Sequence, residues 1–412
     1  MEPKRVDNFF RQVLPNGMTI VFEKRNLPLI TICVGVKLGA GHEPEKLKGI
    51  SHFMEHAVFK ATKTRKKEEM MRLIEKAGGT INAYTGEEET VFWAKLPSSK
   101  FELGLDILAD MVMNPLFDRK DLAMEKKVIL EEINLYTDSP EAYPQLKVKD
   151  MLYEKPFGMF IAGTQESMSR IKRADLLKYH NIYYKPSNMV VSIVGDANVD
   201  AIWNLCKKKF KKQAQEQIQQ SPITANPGTF GEVFEKRKNI SQANLALAFH
   251  IPSLSSPQRY AVEIANTILG AGQSSYLHEE IREKKGWAYT VRSSLDIGKD
   301  YGYCLIYAGI EKTKVHKTKE IILKQIKRLQ NITPKELEET KEQLVGNYET
   351  SSESCASTAE ALLKEQILGD AKNHYKYLDN IYKVKLEDVQ KVFDIKNYGF
   401  IALIPEDVAE KK

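Results

Sequence analysis

The sequence of 412 residues contains little cysteine, little histidine and no long hydrophobic run. Its four cysteines (Cys33, Cys206, Cys304 and Cys355) are far apart and form no CxxC pair, which argues against a disulfide framework and against a cysteine zinc site. No apolar run near residue 1 has signal-peptide length, and none further along approaches the length of a membrane span. We therefore expect a cytoplasmic enzyme or assembly factor that has no membrane association.

The sequence also lacks a strong excess of one charge. Its formal net charge of +6 is small for this length, and positive and negative residues are interspersed, as in KTRKKEEMMRLIEK at 63–76. This pattern indicates a solvated surface, so we do not expect nucleic-acid binding. Hydrophobic residues make up 42% and charged residues 28%, which is typical of a globular protein, and the length predicts two or more domains.

The order of predicted elements occurs twice along the chain. Each half has strands, helices, a hairpin, long helices and a closing strand, which is NMVVSIVGD in the first half and YGFIALIPED in the second. Between the halves, a stretch rich in Gln, Ser and Pro has no periodicity. We predict an α+β protein with two related domains, 1–212 and 231–412, and a linker at 213–230. Each domain is expected to have a mostly antiparallel sheet with helices packed on one face.

Two of the eight histidines lie in GISHFMEHAVFK, residues 49–60. Residues four apart on a helix project from the same face, so His52 and His56 can bind one metal ion, although such pairs are also common as ordinary surface residues. Imidazoles suit zinc, and a catalytic zinc has three protein ligands and a water. Glu55 favours the metal site because a zinc-bound water needs a base within hydrogen-bond reach. His-x-x-Glu-His is also a metallopeptidase signature.

The third ligand is expected from a predicted helix, DLAMEKKVILEEINLY at 121–136. Its apolar stripe consists of Leu122, Ile129, Ile133 and Tyr136. Glu125 and Glu132 project in nearly the same direction, between this stripe and Val128, whereas Glu131 projects to the opposite side. Two carboxylates in a buried arc are costly unless a cation neutralises them. They could also be exposed residues at the edge of the stripe, but the two-histidine motif still needs a ligand, and this favours the metal site.

These motifs, HFMEH and then EKKVILEE about seventy residues later, closely resemble those of the inverzincin zinc peptidases. This is the pitrilysin and mitochondrial processing peptidase superfamily, and the length resembles its short bacterial members. The resemblance covers essentially the whole chain. It implies that His52, His56 and Glu132 bind zinc and that Glu55 is the general base on the zinc-bound water. It also implies that Glu125 is the family's second acidic residue, which supports the ligands and is needed for full activity.

The same resemblance implies two substrate-binding regions. We expect GGTINAYTGEEETVFWAKL to form an edge strand to which an extended peptide can add, although the residues alone fit a plain structural hairpin equally well. The matching NAYT segment binds substrate in the family, which implies this role for Asn82, Ala83 and Tyr84. In the second half, LGAGQSSYLHEEIREKKGWAYTV resembles a signature that supplies an arginine and a tyrosine, here Arg282 and Tyr289. They would act where charge builds on the scissile carbonyl oxygen.

We therefore expect a zinc-dependent metalloendopeptidase that hydrolyses peptides or unfolded segments. One Zn²⁺ per chain is expected, because the second half contains no HxxEH motif. The family's short members pair, which implies a homodimer in which Arg282 and Tyr289 serve the partner's metal. The alternatives are a non-catalytic scaffold subunit of a processing-peptidase-like complex and a heterodimer with a partner that lacks HxxEH. The intact metal motif argues against the scaffold.

Overall fold

The structure is a computed structural model that describes residues 8–211, 218, 222–393 and 395–406. Part of the predicted linker, 213–217 and 219–221, lies outside the described residues. The described strands are β1 (Phe9–Val13), β2 (Thr19–Lys24), β3 (Leu29–Val36), β4 (Thr80–Thr85), β5 (Thr90–Pro97), β6 (Met189–Gly195), β7 (Gly231–Arg237), β8 (Ala243–His250), β9 (Ala288–Ile297), β10 (Gly302–Ile310) and β11 (Gly399–Pro405).

Fourteen α-helices accompany these strands in the same part of the chain. They are α1 (Ile50–Val58), α2 (Lys67–Lys76), α3 (Phe101–Met113), α4 (Arg119–Asp138), α5 (Ala142–Leu152), α6 (Gln165–Arg170), α7 (Arg173–Tyr183), α8 (Val199–Lys209), α9 (Arg259–Gly270), α10 (Val315–Arg328), α11 (Pro334–Ser351), α12 (Cys355–Leu368), α13 (Tyr377–Lys383) and α14 (Leu386–Val392). Not one of them has the combination of length and hydropathy that crossing a bilayer requires.

The first sheet has the strand order β1-β2-β6-β3-β5-β4. β2 and β6 are parallel, and the other neighbouring strands are antiparallel. β3 is buried along almost its whole length, because alternate side chains point to two covered faces. Helix α3 packs against β3 and β5. On the other face α12 brings Leu362 and Leu363 against Cys33 and Val190.

The second sheet has the order β7-β11-β8-β10-β9. β7 and β11 are parallel, and the other pairs are antiparallel. On one face, Val148 and Leu152 of α5 pack against Ala246 and Ala248, whose small side chains let the helix lie close to the sheet. Helix α9 packs against β9, so this sheet too has helices on both faces.

The chain forms two compact units, each with one of these sheets. The first comprises 1–133, 161–222 and 348–377, and the second comprises 134–160, 223–347 and 378–412. The predicted fold class is confirmed, since both sheets are mostly antiparallel and carry helices. One detail differs, because helices were predicted on only one face of each sheet. Helix α12 covers a second face of the first sheet and α5 a second face of the second sheet, and the central strands are apolar on both sides. The boundaries 1–212 and 231–412 stay a prediction. The compact units differ from them mainly because 134–160 belongs to the second unit and 348–377 to the first.

Candidate metal centre

Helix α1, which carries the HxxEH motif, is held at its N-terminal end by a buried carboxylate. Glu43 accepts hydrogen bonds from the backbone N–H groups of Gly49 (2.8 Å) and Ser51 (2.5 Å), which stabilises the positive end of the helix. Burial raises the pKa of Glu43 to about 7, although Lys48 and the two N–H groups act against this rise. Gly49 has φ +97°, and a Cβ there would lie 2.5 Å from the carbonyl oxygen of Ala162, so the position requires glycine. The start of α1 is therefore tightly defined.

The apolar face of α1 sets the direction of its polar face. Phe53, Met54, Ala57 and Val58 are buried. Because these side chains pack into the core, His52, Glu55 and His56 share the remaining side of the helix. This explains why the motif lies among large apolar residues, since they anchor a short helix that carries functional groups.

The structure brings His52, His56 and Glu132 together. A carboxylate oxygen of Glu132 lies 3.7 Å from Nε2 of His52 and 3.5 Å from Nε2 of His56, and the two imidazole centroids are 4.6 Å apart. Within the described part of the chain, this is the group whose ligand atoms could hold a metal ion, all lying within 4.8 Å of one another. Tetrahedral zinc with bonds of 2.0–2.1 Å would place its ligand atoms about 3.4 Å apart. The donor set and its spacing therefore fit zinc.

Glu125 lies directly behind His56 and is buried. Its Oε1 is 2.9 Å from Nδ1 of His56, and its Oε2 contacts the ammonium of Lys60. Burial acts to raise the pKa of Glu125, but the hydrogen bonds from His56 and Lys60 prevail and lower it to about 2. A carboxylate on the far nitrogen of a ligand histidine fixes the tautomer and the ring orientation, so Nε2 of His56 can face the metal.

The two histidines differ in proton affinity. Burial and the neighbouring His56 lower the pKa of His52 to about 4. Burial also acts to lower the pKa of His56, but hydrogen bonds to Glu125 and Glu132 outweigh it and raise the pKa to about 9. Because a metal binds the neutral imidazole, a proton on His56 competes with the metal.

Glu55 lies on the same side of α1, half-buried, with a partner from the sheet. The hydroxyl of Thr85 donates a hydrogen bond of 2.6 Å to its Oε2. Burial raises the pKa of Glu55, against the effect of the Thr85 hydrogen bond. A carboxylate with a raised pKa is the stronger base, and such shifts are common at catalytic sites.

Helix α4 supplies the two glutamates. Leu122, Ile129 and Ile133 are buried and anchor it, as predicted. Glu125 and Glu132 point toward α1 while Glu131 is exposed, which agrees with the predicted helix faces.

The predicted apolar stripe of α4 was wrong at its end. Tyr136 is 40% exposed and packs its ring on Phe160 at 5.2 Å, so the buried stripe ends at Ile133. One residue at the end of a helix cannot be assigned to the core from periodicity alone, because the core itself ends there.

The predicted peptide-binding segment lies in β4. This strand pairs with β5 and is at the edge of the first sheet, which confirms the predicted edge strand. Asn82 is exposed, whereas Ala83 and Tyr84 are half-buried. β4 runs beside α1 and ends at Thr85, whose hydroxyl contacts Glu55. The edge strand and the polar face of α1 are therefore adjacent.

Arg282 and Tyr289 contact each other within the second unit. Arg282 lies on a π-helical segment, His278–Glu283, and its Nη1 donates to the carbonyl oxygen of Tyr289 at 2.8 Å. The guanidinium carbon is 5.2 Å from the Tyr289 ring centroid, and Tyr289 is 80% exposed. The histidines and Glu132 belong to the first unit.

Three residues around the metal centre were not predicted from the sequence, namely Glu43, Lys60 and Thr85. Lys60 follows His56 by four residues, a spacing that could have placed it on the same side. Thr85 directly follows the three predicted substrate-binding residues. Glu43 lies in an irregular segment, and no sequence pattern indicates that it contacts the helix.

Comparisons with known proteins identify relatives that are described as peptidases. A family model described as Insulinase (Peptidase family M16) matches residues 19–165, and one described as Peptidase M16 inactive domain matches 170–344. The chain is 32% identical over 389 residues to the uncharacterized zinc protease YmxG of Bacillus subtilis, covering 92% of this chain and 93% of that protein. It is 30% identical over 390 residues to an uncharacterized zinc protease of Rickettsia bellii, covering 93% of each.

Solved structures show the same fold. A crystal structure of a protease from Helicobacter pylori has a TM-score of 0.90 at 23% identity, covering 96% of this chain and 99% of that chain. A peptidase M16 inactive domain from Pseudomonas fluorescens has a TM-score of 0.86 at 20% identity, covering 98% and 100%. At these identities the likeness concerns the fold.

Proposed function

The chain belongs to peptidase family M16, and on that premise we propose that it is a zinc-dependent metalloendopeptidase that hydrolyses peptides or unfolded segments. The observation that carries the proposal is the convergence of His52, His56 and Glu132 from two helices. Glu55 and Glu125 stand beside this cluster, Glu55 with one carboxylate oxygen bound by Thr85 and Glu125 with its two oxygens bound by His56 and Lys60. The printed names of the relatives, which describe zinc proteases, support the metal.

His52, His56 and Glu132 would hold one zinc ion per chain. When bound, zinc would polarise the scissile carbonyl and lower the pKa of a water molecule. Glu55 then accepts a proton from the attacking water. Thr85 holds one oxygen of Glu55, which leaves the other free to take that proton. Glu55 can later deliver the proton to the leaving amine.

The edge strand β4 would bind the substrate in an extended conformation. Its outer side offers backbone groups to which a peptide strand can add, and Asn82, Ala83 and Tyr84 lie along it. A peptide bound there would pass beside α1, since β4 ends at the Thr85–Glu55 contact. This arrangement favours unfolded substrates, because a segment whose backbone groups are already paired in a helix or sheet has none left for the edge.

Arg282 and Tyr289 would stabilise the negative charge that develops on the carbonyl oxygen. Their mutual contact and the exposure of Tyr289 support a role as a donor pair. We propose that they act in a homodimer, on the metal centre of the partner chain. The homodimer and a cytoplasmic location stay predictions.

A non-catalytic scaffold and an obligate heterodimer are the alternatives. The match of 170–344 to a model described as an inactive domain concerns the half without HxxEH, whereas the metal cluster lies in the region matched by the peptidase model. This division supports one catalytic centre per chain.

The test combines metal analysis with cleavage of a peptide mixture read by mass spectrometry. The purified chain should hold about one zinc and cleave, and Glu55→Gln should keep the zinc but lose most activity, because an amide cannot accept the proton. Glu131→Gln, at an exposed position of α4, is the control and should match the parent. A parent without zinc, or a Glu55→Gln chain that cleaves at the parent rate, would refute the proposal.

A further inference from the structure

Lys60 contacts Glu125, the carboxylate behind His56, and no role described so far requires this contact. It follows the C-terminal end of α1, and its side chain is only 14% exposed. Its ammonium contacts Oε2 of Glu125, while Oε1 of the same carboxylate is 2.9 Å from Nδ1 of His56. Both oxygens of Glu125 are therefore engaged by residues at one end of α1, in the order Lys60, Glu125, His56.

A carboxylate held at both oxygens cannot rotate. Glu125 is buried on α4, where an ionised carboxylate needs a neutralising partner to remain in place. Without Lys60, rotation of the carboxylate toward water would become easier, and its bond to Nδ1 of His56 would weaken. Because this bond orients the imidazole, the effect would reach the ligand nitrogen on the other side of the ring.

We propose that Lys60 is a positioning residue of the metal centre that acts through Glu125 on His56. The inference rests on the proposed function, since it assumes that His56 binds zinc. It adds a residue with no contact to the metal cluster and gives Glu125 a defined orientation rather than only a charge.

If Lys60 acted only through its charge, its removal would change the zinc affinity in the opposite direction. A lysine near a divalent cation repels it, so removal of the charge alone would tighten zinc binding. If Lys60 fixes the carboxylate, its removal weakens binding instead. The direction of the change therefore separates the two roles.

The experiment measures the zinc dissociation constant of the full-length chain by competition with a chelator, and the zinc release rate by chelator capture. Lys60→Met keeps the length of the side chain without its charge, and Lys60→Arg restores the charge. Lys209→Met is the matched control, because Lys209 forms a half-buried ion pair with Asp106 elsewhere in the same unit. Melting of the metal-free variants verifies folding, and Lys60→Gln replaces Lys60→Met if that variant does not fold.

Lys60→Met should bind zinc about tenfold more weakly and release it faster, at the lower end of what partners of metal ligands contribute. Lys60→Arg and Lys209→Met should stay within about twofold of the parent. In a Glu125→Gln background, Lys60→Met should cause no further loss, because the residue it acts through is already altered.

Unchanged or tighter zinc binding by Lys60→Met, or an equal loss in the Glu125→Gln background, would overturn the positioning role. Each of these results leaves the proposed function intact if the parent binds zinc. A parent chain that binds no zinc would instead remove the proposed function, and this inference with it.

Discussion

The two units place their charged side chains in different surroundings. Near His56 the ammonium of Lys60 and the carboxylate of Glu125 are largely buried. Near Arg282, by contrast, Lys284 pairs with Glu279 at the surface, where their side chains are 53% and 47% exposed. Exposed pairs contribute little, whereas removing one partner of a buried pair costs about 3–5 kcal/mol.

This difference indicates how a metal centre differs from a charged surface. Both units have a mostly antiparallel sheet covered by helices, and both carry histidine and glutamate on a helical segment. Only in the first unit, among the described residues, do these groups converge into a set with metal-ligand spacing. The second unit instead carries a half-buried arginine and an exposed tyrosine that contact each other.

The largest expected effect tests whether the two regions cooperate. Arg282→Ala and His52→Ala chains should each lose at least about a hundredfold in kcat/KM. The first loses stabilisation of the charge on the carbonyl oxygen, and the second loses a metal ligand. If the two regions meet in trans, mixing the chains should restore about a quarter of parental activity, through dimers with one intact site.

Native mass spectrometry of that mixture provides the control. Mixed dimers that are as inactive as their components would contradict the in-trans arrangement. A fully active enzyme that is strictly monomeric would contradict the dimer itself.

A smaller effect concerns the contact between β4 and the base. Thr85→Val should lower kcat about tenfold with little change in KM, because Glu55 loses the donor that orients it. Loss of that donor also raises the pKa of Glu55. Because a protonated base is inactive, activity should be lost at a higher pH than in the parent as the pH is lowered. Steady-state kinetics across pH measure both changes, and Thr85→Ser, which keeps the hydroxyl, should behave as the parent does. A Thr85→Val enzyme with parental kcat and pH profile would show that the contact has no catalytic role.

A separate expected effect is on stability rather than activity and concerns Glu43. Its pKa is raised from 4.5 to about 7 in the folded chain. Between these two pH values the folded state therefore holds a proton that the unfolded state has released. Stability from this group is full below about pH 4.5 and is lost as pH rises through about 7. Relative to Glu43→Gln, the parent's free energy of unfolding should fall by about 3 kcal/mol between pH 4.5 and 8. Denaturant titrations of both proteins measure this, and a difference that is independent of pH would contradict it.

Part of this site could be predicted from local spacing. The i, i+4 relation places His52 and His56 together on any helix, and the seven-residue spacing does the same for Glu125 and Glu132. Which glutamate binds the metal followed from the family resemblance, because spacing alone treats the two as equivalent.

The rest depends on contacts between residues far apart in sequence. Thr85 and Glu55 are separated by 30 residues, and no periodic pattern relates them. The helices on the second faces of the sheets were missed for the same reason, since an amphipathic pattern predicts a buried face but not the sheet that it covers. Glu43 lies in a segment without regular structure and acts through backbone groups that have no sequence signature.

The most direct test of the central claim is the zinc content of three alanine variants of α4 beside the parent. Inductively coupled plasma mass spectrometry after gel filtration measures zinc per chain in parent, Glu132→Ala, Glu125→Ala and Glu131→Ala proteins. We predict about one zinc in the parent and in Glu131→Ala, little in Glu132→Ala, and weaker but detectable binding in Glu125→Ala, as expected for a ligand and for its supporting residue. The same zinc content in all four proteins, or none in the parent, would contradict the assignment of the His52, His56 and Glu132 cluster as a metal centre.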